Sequence, residues 1–178
     1  MTTANSQSVT PDTFIHTAGR FAIASGIIAS IGVVFLIAMF VFFATPLKSL
    51  GATFGMVNDI CIAIQYLLAI PIALALRQIL LPYNPTLIRV ATVEGIVMML
   101  VVVGLQLALV FGLLPFEKQV VWVTLAMLVG IGAWLVITGL VARSSGRFPN
   151  SLLMSSLAVP YVGFPLWAFW LARHLLAW

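Results

Sequence analysis

The chain has 178 residues, of which 63% are hydrophobic and 7% charged, and its mean hydropathy is +1.21. A soluble domain carries about 25% charged residues, so a water-facing globule is excluded and lipid is the expected solvent. The formal net charge of +4 comes from lysines and arginines at the ends of apolar stretches, where they snorkel to phosphates and set orientation; no basic run could track a nucleic-acid backbone.

Residues 1–18, MTTANSQSVTPDTFIHTA, form a polar tail, and residues 19–178 form a single membrane domain. The tail has no basic n-region and the apolar run behind it is too long for a secretory signal, so the first segment is expected to remain in the mature chain. Segment one, Phe21–Ala44, is uncharged and long enough to cross a hydrocarbon core of about 30 Å. Ala22, Gly26 and Ser30 recur along it and would let another helix approach closely. Thr45-Pro46 ends it, Lys48 marks the far interface, and Gly51 and Gly55 are expected to keep 45–55 a loop.

Segment two runs from Met56 to Leu76 and carries Pro71, which removes a backbone donor and predicts a kink. Two prolines in Leu81–Pro85 make a turn. Segment three, Leu87–Leu114, begins with Arg89 and Glu94 and carries a second small-residue stripe, Gly104, Ala108 and Gly112. After the turn Pro115–Lys118, segment four covers Val120–Ala142, with Trp122 at an interface. A hydrophilic loop, 144–150, leads to Ser151–Trp178. Pro160 and Pro165 bend this last stretch, and Trp167, Trp170, Arg173, His174 and Trp178 anchor its end.

These segments predict an all-α polytopic transmembrane helical bundle of five spans, with its ends on opposite sides. Arg20, Arg77, Arg89, Arg143 and Arg147 then share the N-terminal side, and Lys48, Lys118 and Arg173 the other. The excess favours a cytoplasmic N-terminus in a cell inner membrane.

An ionisable group in hydrocarbon is costly and is by default a site. Two acids qualify, Asp59 and Glu94, with Asn58, Gln65 and Gln106 as polar companions. Asp59 either caps the start of segment two or joins Asn58, Gln65 and Tyr66 on one flank lining a cavity. Glu94 either pairs with an arginine of another helix or carries a proton or orients a ligand. The two acids sit near opposite leaflets, roughly 15 Å apart along the normal, so they cannot share a proton or a metal.

Cys61 is alone and cannot form an internal disulfide. His16 and His174 fall near opposite faces in a five-span chain, so they cannot jointly hold a haem. No Cys/His cluster has zinc spacing, and no nucleophile, phosphate-loop or dinucleotide motif occurs. No metal, cofactor or catalytic activity is expected.

His16-Thr17-Ala18-Gly19-Arg20-Phe21-Ala22-Ile23-Ala24-Ser25-Gly26, Leu67–Arg77 and Pro165-Leu166-Trp167-Ala168-Phe169-Trp170-Leu171 resemble stretches of small bacterial multi-pass membrane proteins in a domain family of unknown function. That family is usually longer, often with more spans. The resemblance implies a compact helical bundle and brings no site residues.

Two functions compete. One is a non-catalytic membrane subunit or accessory protein packing against partner membrane proteins, or against its own copies, through the small-residue stripes. The other is a small transporter or ligand-binding protein using Asp59, Glu94, Asn58 or Gln65, which requires a polar cavity.

Overall fold

A computed structural model describes residues 13–146, 148 and 163–178. Among the described residues there are helices and no strands: α1 (Thr13–Phe43), α2 (Lys48–Leu80), α3 (Pro85–Val110), α4 (Phe116–Ser145) and α5 (Gly163–Leu175). The first four are long and apolar enough to cross a membrane. Val34, Ile37 and Phe40 on α1, Val90 and Val93 on α3, and Leu128 and Val129 on α4 are exposed. In water they would make apolar patches rare on soluble monomers; in lipid they are the solvated surface. The chain is a polytopic transmembrane helical bundle.

Helix α2 is the most buried of the four, packing on α1 and α3 while α3 packs on α4. Small residues draw α1 and α2 together. Ala18, Ala22, Ser25, Ala29 and Gly32 are buried on α1, Gly32 lies against Cys61, and Ser25 Oγ donates to the Gln65 carbonyl at 3.1 Å. Pro71 lies inside α2, which continues past it to Leu80.

Gly51 and Gly55 do not break the chain. They belong to α2, which begins at Lys48 rather than Met56. A Cβ on Gly51 would lie 2.9 Å from Phe43 Cδ1, and one on Gly55 2.9 Å from Met39 Sδ. The glycines serve a close helix crossing, which compensates for their weak helix propensity. The α1–α2 connection is correspondingly short, with Thr45 Oγ1 donating to the Phe42 carbonyl at 2.8 Å.

The turn between α2 and α3 is closed by Asn84, whose side chain accepts from the Leu87 amide at 3.2 Å, with Pro85 opening α3. α3 ends at Val110 rather than Leu114, because Gly112 takes φ 70 and the Leu113 amide reaches back to the Ala108 carbonyl at 2.8 Å. Gly112 thus belongs to the turn, not to the helical stripe. α1 begins at Thr13, inside the expected polar tail. Within α4, residues Ala126–Ile131 form a π-helical stretch that the sequence reading did not anticipate.

The largest departure from expectation is α5. Phe164 packs on Tyr66 with ring centroids 5.9 Å apart, Phe169 lies over Gly26, and Leu175 and Leu176 lie against Gly19. α5 therefore runs from about the middle of α1 back towards its beginning. Its 13 residues rise about 20 Å, short of a crossing of about 30 Å. The described residues do not reproduce the count of five spans: they give four full-length helices and a half-length helix, and the two described ends share one side. Arg147, Ser151 and Pro160 fall outside the described residues.

This topology regroups the charges. Arg20, Arg77, Arg89, Arg143 and Arg173 all stand at one end of the bundle, and Lys48 and Lys118 at the other. Arg173 changes sides relative to expectation. The bundle thus has an arginine end and a lysine end.

Candidate functional site

At the lysine end the four long helices line a half-open cavity of about 760 Å³, with Phe40, Phe43, Met56 and Phe116 exposed at its open side. α1 contributes Met39, Phe40 and Phe43; α2 contributes Met56, Asn58 and Asp59. Gln106 comes from α3, and Phe116, Gln119 and Thr124 come from α4. The wall is mainly apolar, with a band of carboxamides beside one carboxylate. Asn58, Gln106 and Gln119 are buried, and Asp59 is half-buried.

The local chain explains this arrangement. Because α2 starts at Lys48, Asp59 lies about three turns inside the helix. It has no helix start to cap, so the capping reading is overturned and the cavity-lining one describes its position. The Asn58 side chain adjoins the Asp59 carboxyl. Across the α3–α4 hairpin, the Gln119 carboxamide donates to Gln106 Oε1. This pair satisfies a donor and an acceptor that would otherwise be stranded in an apolar wall.

Asn58 also borders a second space, a pocket of about 10 Å³ with Gln65, Tyr66 and Met127, about the volume one water needs. Asn58 and Gln65, seven positions apart, share this pocket, and Asp59 faces the larger cavity. The expected polar flank is therefore divided between two spaces. Met127 belongs to the π-helical stretch of α4, a distortion frequent at functional sites.

Glu94 stands elsewhere. It precedes Gln106 on α3 by about three turns, roughly 18 Å, and does not line the cavity. It is half-buried on a face whose neighbours Val90, Val93, Val97 and Val101 are exposed. The expected ion pair with an arginine is not found among the described residues. The face beside it explains why: α3 turns its buried residues Ala91, Gly95 and Met99 to the bundle and Glu94 largely outward.

The small-residue stripes part company. Ala22 and Gly26 are buried, Gly26 under the Phe169 ring, where a Cβ would lie 3.1 Å from the ring carbons. Ser30 is half-buried and donates to the Gly26 carbonyl at 2.8 Å. This stripe is filled within the chain by α5. Gly104 is exposed with open space beside it, and Ala108 is half-buried.

His16 and His174 both stand at the arginine end, since α5 runs back along α1, so their expected separation by the membrane does not hold. His174 packs edge-on against Trp170 at 4.2 Å, and its Nε2 is buried without a hydrogen-bond partner. No group of three or more His, Cys, Asp or Glu side chains that could hold a metal occurs among the described residues. Cys61 is buried.

Sequence reasoning took up Gln106 but missed Gln119 and the aromatic wall. Gln119 follows a charged turn and reads as interfacial. Its signal was its position one turn inside a helix that must return antiparallel to α3.

No protein-family model, curated protein or solved structure matches this chain. The likeness to small bacterial multi-pass proteins rests on the short apolar motifs alone.

Proposed function

We propose that this chain is a ligand-binding membrane protein without catalytic activity, taking a small amphiphile into the cavity at its lysine end. The observation that carries the reading is the cavity: about 760 Å³, apolar-walled, with Asn58, Asp59, Gln106 and Gln119 brought together from three helices. Small-molecule sites run from about 300 to 1,000 Å³ and combine such walls with a few polar groups.

The orientation that accompanies this reading places the arginine end in the cytoplasm and the cavity at the opposite face of an inner membrane. Its support is the grouping of the described arginines at one end, against Lys48 and Lys118 at the other.

The test is recovery of ligand from native membranes. The purified protein is stripped with solvent and small molecules are identified by mass spectrometry. A parallel preparation carries Ala52→Trp and Thr124→Trp, two exposed positions on the cavity lining where an indole fills the space without entering the core. A molecule present near one per chain in the wild type and absent from the filled variant supports the reading. Identical profiles for the two proteins overturn it.

A second reading, an accessory subunit, is favoured by the outer face of α3. There a half-buried Glu94 without an arginine partner among the described residues, and an open Gly104, look away from the bundle. Intramembrane acids are usually paired or turned inward, so a partner helix donating a hydrogen bond to Glu94 would complete this face. Gly104→Cys in a Cys61→Ala background, oxidised in native membranes, would cross-link to a second copy or a partner. Absence of any adduct speaks against it.

A further inference from the structure

We infer that the ligand class of the lysine-end cavity is a lipophilic monocation: an apolar, partly aromatic body carrying one positive charge. This rests on the cavity being a binding site and adds the sign and number of the ligand's charges. Among the described residues Asp59 is the one ionisable side chain on its lining, and neither lysine of that end reaches it. A carboxylate in a low-dielectric wall attracts a cation and repels an anion far more strongly than it would in water. With a single carboxylate, a second positive charge on the ligand would be left uncompensated in an apolar space.

The aromatic part of the lining agrees with that sign. Phe40, Phe43 and Phe116 stand at the open side of the cavity, and aromatic faces attract cations over their rings. Gln119 donates to Gln106 Oε1, which leaves the Gln119 oxygen as an acceptor and the Gln106 amide as a donor, so this pair can orient a ligand but favours neither sign of charge. The Asn58 side chain hydrogen-bonds the Asp59 carboxyl, and both line the cavity.

The test uses two ions of nearly the same shape and opposite charge, tetraphenylphosphonium and tetraphenylborate. Binding to the purified full chain is measured by equilibrium dialysis in neutral detergent at about pH 8. Wild type is compared with Asp59→Asn and with the filled variant Ala52→Trp/Thr124→Trp, each first shown to be monodisperse with an unchanged unfolding temperature. The expected result is a preference for the cation of roughly tenfold or more, lost in Asp59→Asn, with both ions excluded from the filled variant.

Equal binding of both ions, abolished by filling, would leave the cavity as a site and overturn its charge preference. A preference for the borate overturns it as well. Binding of neither ion above the filled variant overturns both the monocation assignment and the cavity as a site for ligands of this size. If Asp59→Asn does not fold, Asp59→Ser replaces it. Loss of the cation preference is expected there too, and a preference retained without the carboxylate in either variant overturns its role.

Discussion

Gly95 on α3 and Trp134 on α4 interlock: a Cβ on Gly95 would lie 2.5 Å from Trp134 Cγ. The indole is fully buried and also meets Trp167 of α5 edge-on at 6.0 Å. Trp134 therefore ties α3, α4 and α5 together through a space that one missing side chain leaves open. Gly95→Ala forces the indole or the helix to move. The expected cost is about 1–3 kcal/mol, the usual scale for overpacking, read as a lower unfolding temperature in detergent.

Gly51 and Gly104 should respond in opposite ways to the same change. Gly51→Leu drives a side chain into Phe43 and the Met39 carbonyl, 2.9 and 3.1 Å from where a Cβ would stand. It should destabilise strongly or abolish a monodisperse preparation. Gly104→Leu enters open space and should leave unfolding unchanged. If Gly51→Leu proves as tolerated as Gly104→Leu, then 48–55 does not pack as α2.

The Gln106–Gln119 hydrogen bond predicts a non-additive cycle. Gln106→Leu or Gln119→Leu alone leaves a carboxamide without its partner, at about 1–3 kcal/mol. The double substitution should cost less than the sum of the two, with a coupling of about 0.5–3 kcal/mol. Unfolding of the four proteins in one detergent measures it. Strict additivity would mean the two side chains do not meet.

Topology can be read without a purified protein. Reporter domains fused before Thr13 and after Trp178 should lie in the same compartment, because Leu176 lies against Gly19. A cysteine at Lys118, in a Cys61→Ala background, should be labelled by an impermeant maleimide from the other compartment. Opposite reporters at the two ends would restore the five-span arrangement.

The class of fold was legible because it depends on averages. Long uncharged runs and chain-end arginines are local, one-dimensional signals, and they placed α1 through α4. What failed depends on who sits opposite. Gly51 reads as a breaker alone and as a contact once Phe43 is beside it. Asp59 reads as a cap only while α2 is started at Met56. α5 has the composition of a span, and only its partners Tyr66, Gly26 and Gly19 show that it turns back.

The site was legible in half. Asn58, Asp59 and Gln65 stand out as polar residues in an apolar helix, and Gln106 stands out in α3. That Gln119 and Phe116 complete the wall follows from the α3–α4 register. That Glu94 looks outward follows from which side of α3 is buried, and α3 is apolar all round, so no amphipathic pattern marks that side.

The return of α5 along α1 has a use in engineering. With Leu176 against Gly19, the two described ends stand at the same end of the bundle, so two copies starting at Thr13 can be joined head to tail by a flexible linker without an added crossing helix, both keeping the same orientation. A single chain joined in this way could keep Asp59 in one half and carry Asp59→Asn in the other, so that one cavity is altered while its twin serves as the internal control. The same adjacency allows a circular permutant opened in the turn at Tyr83.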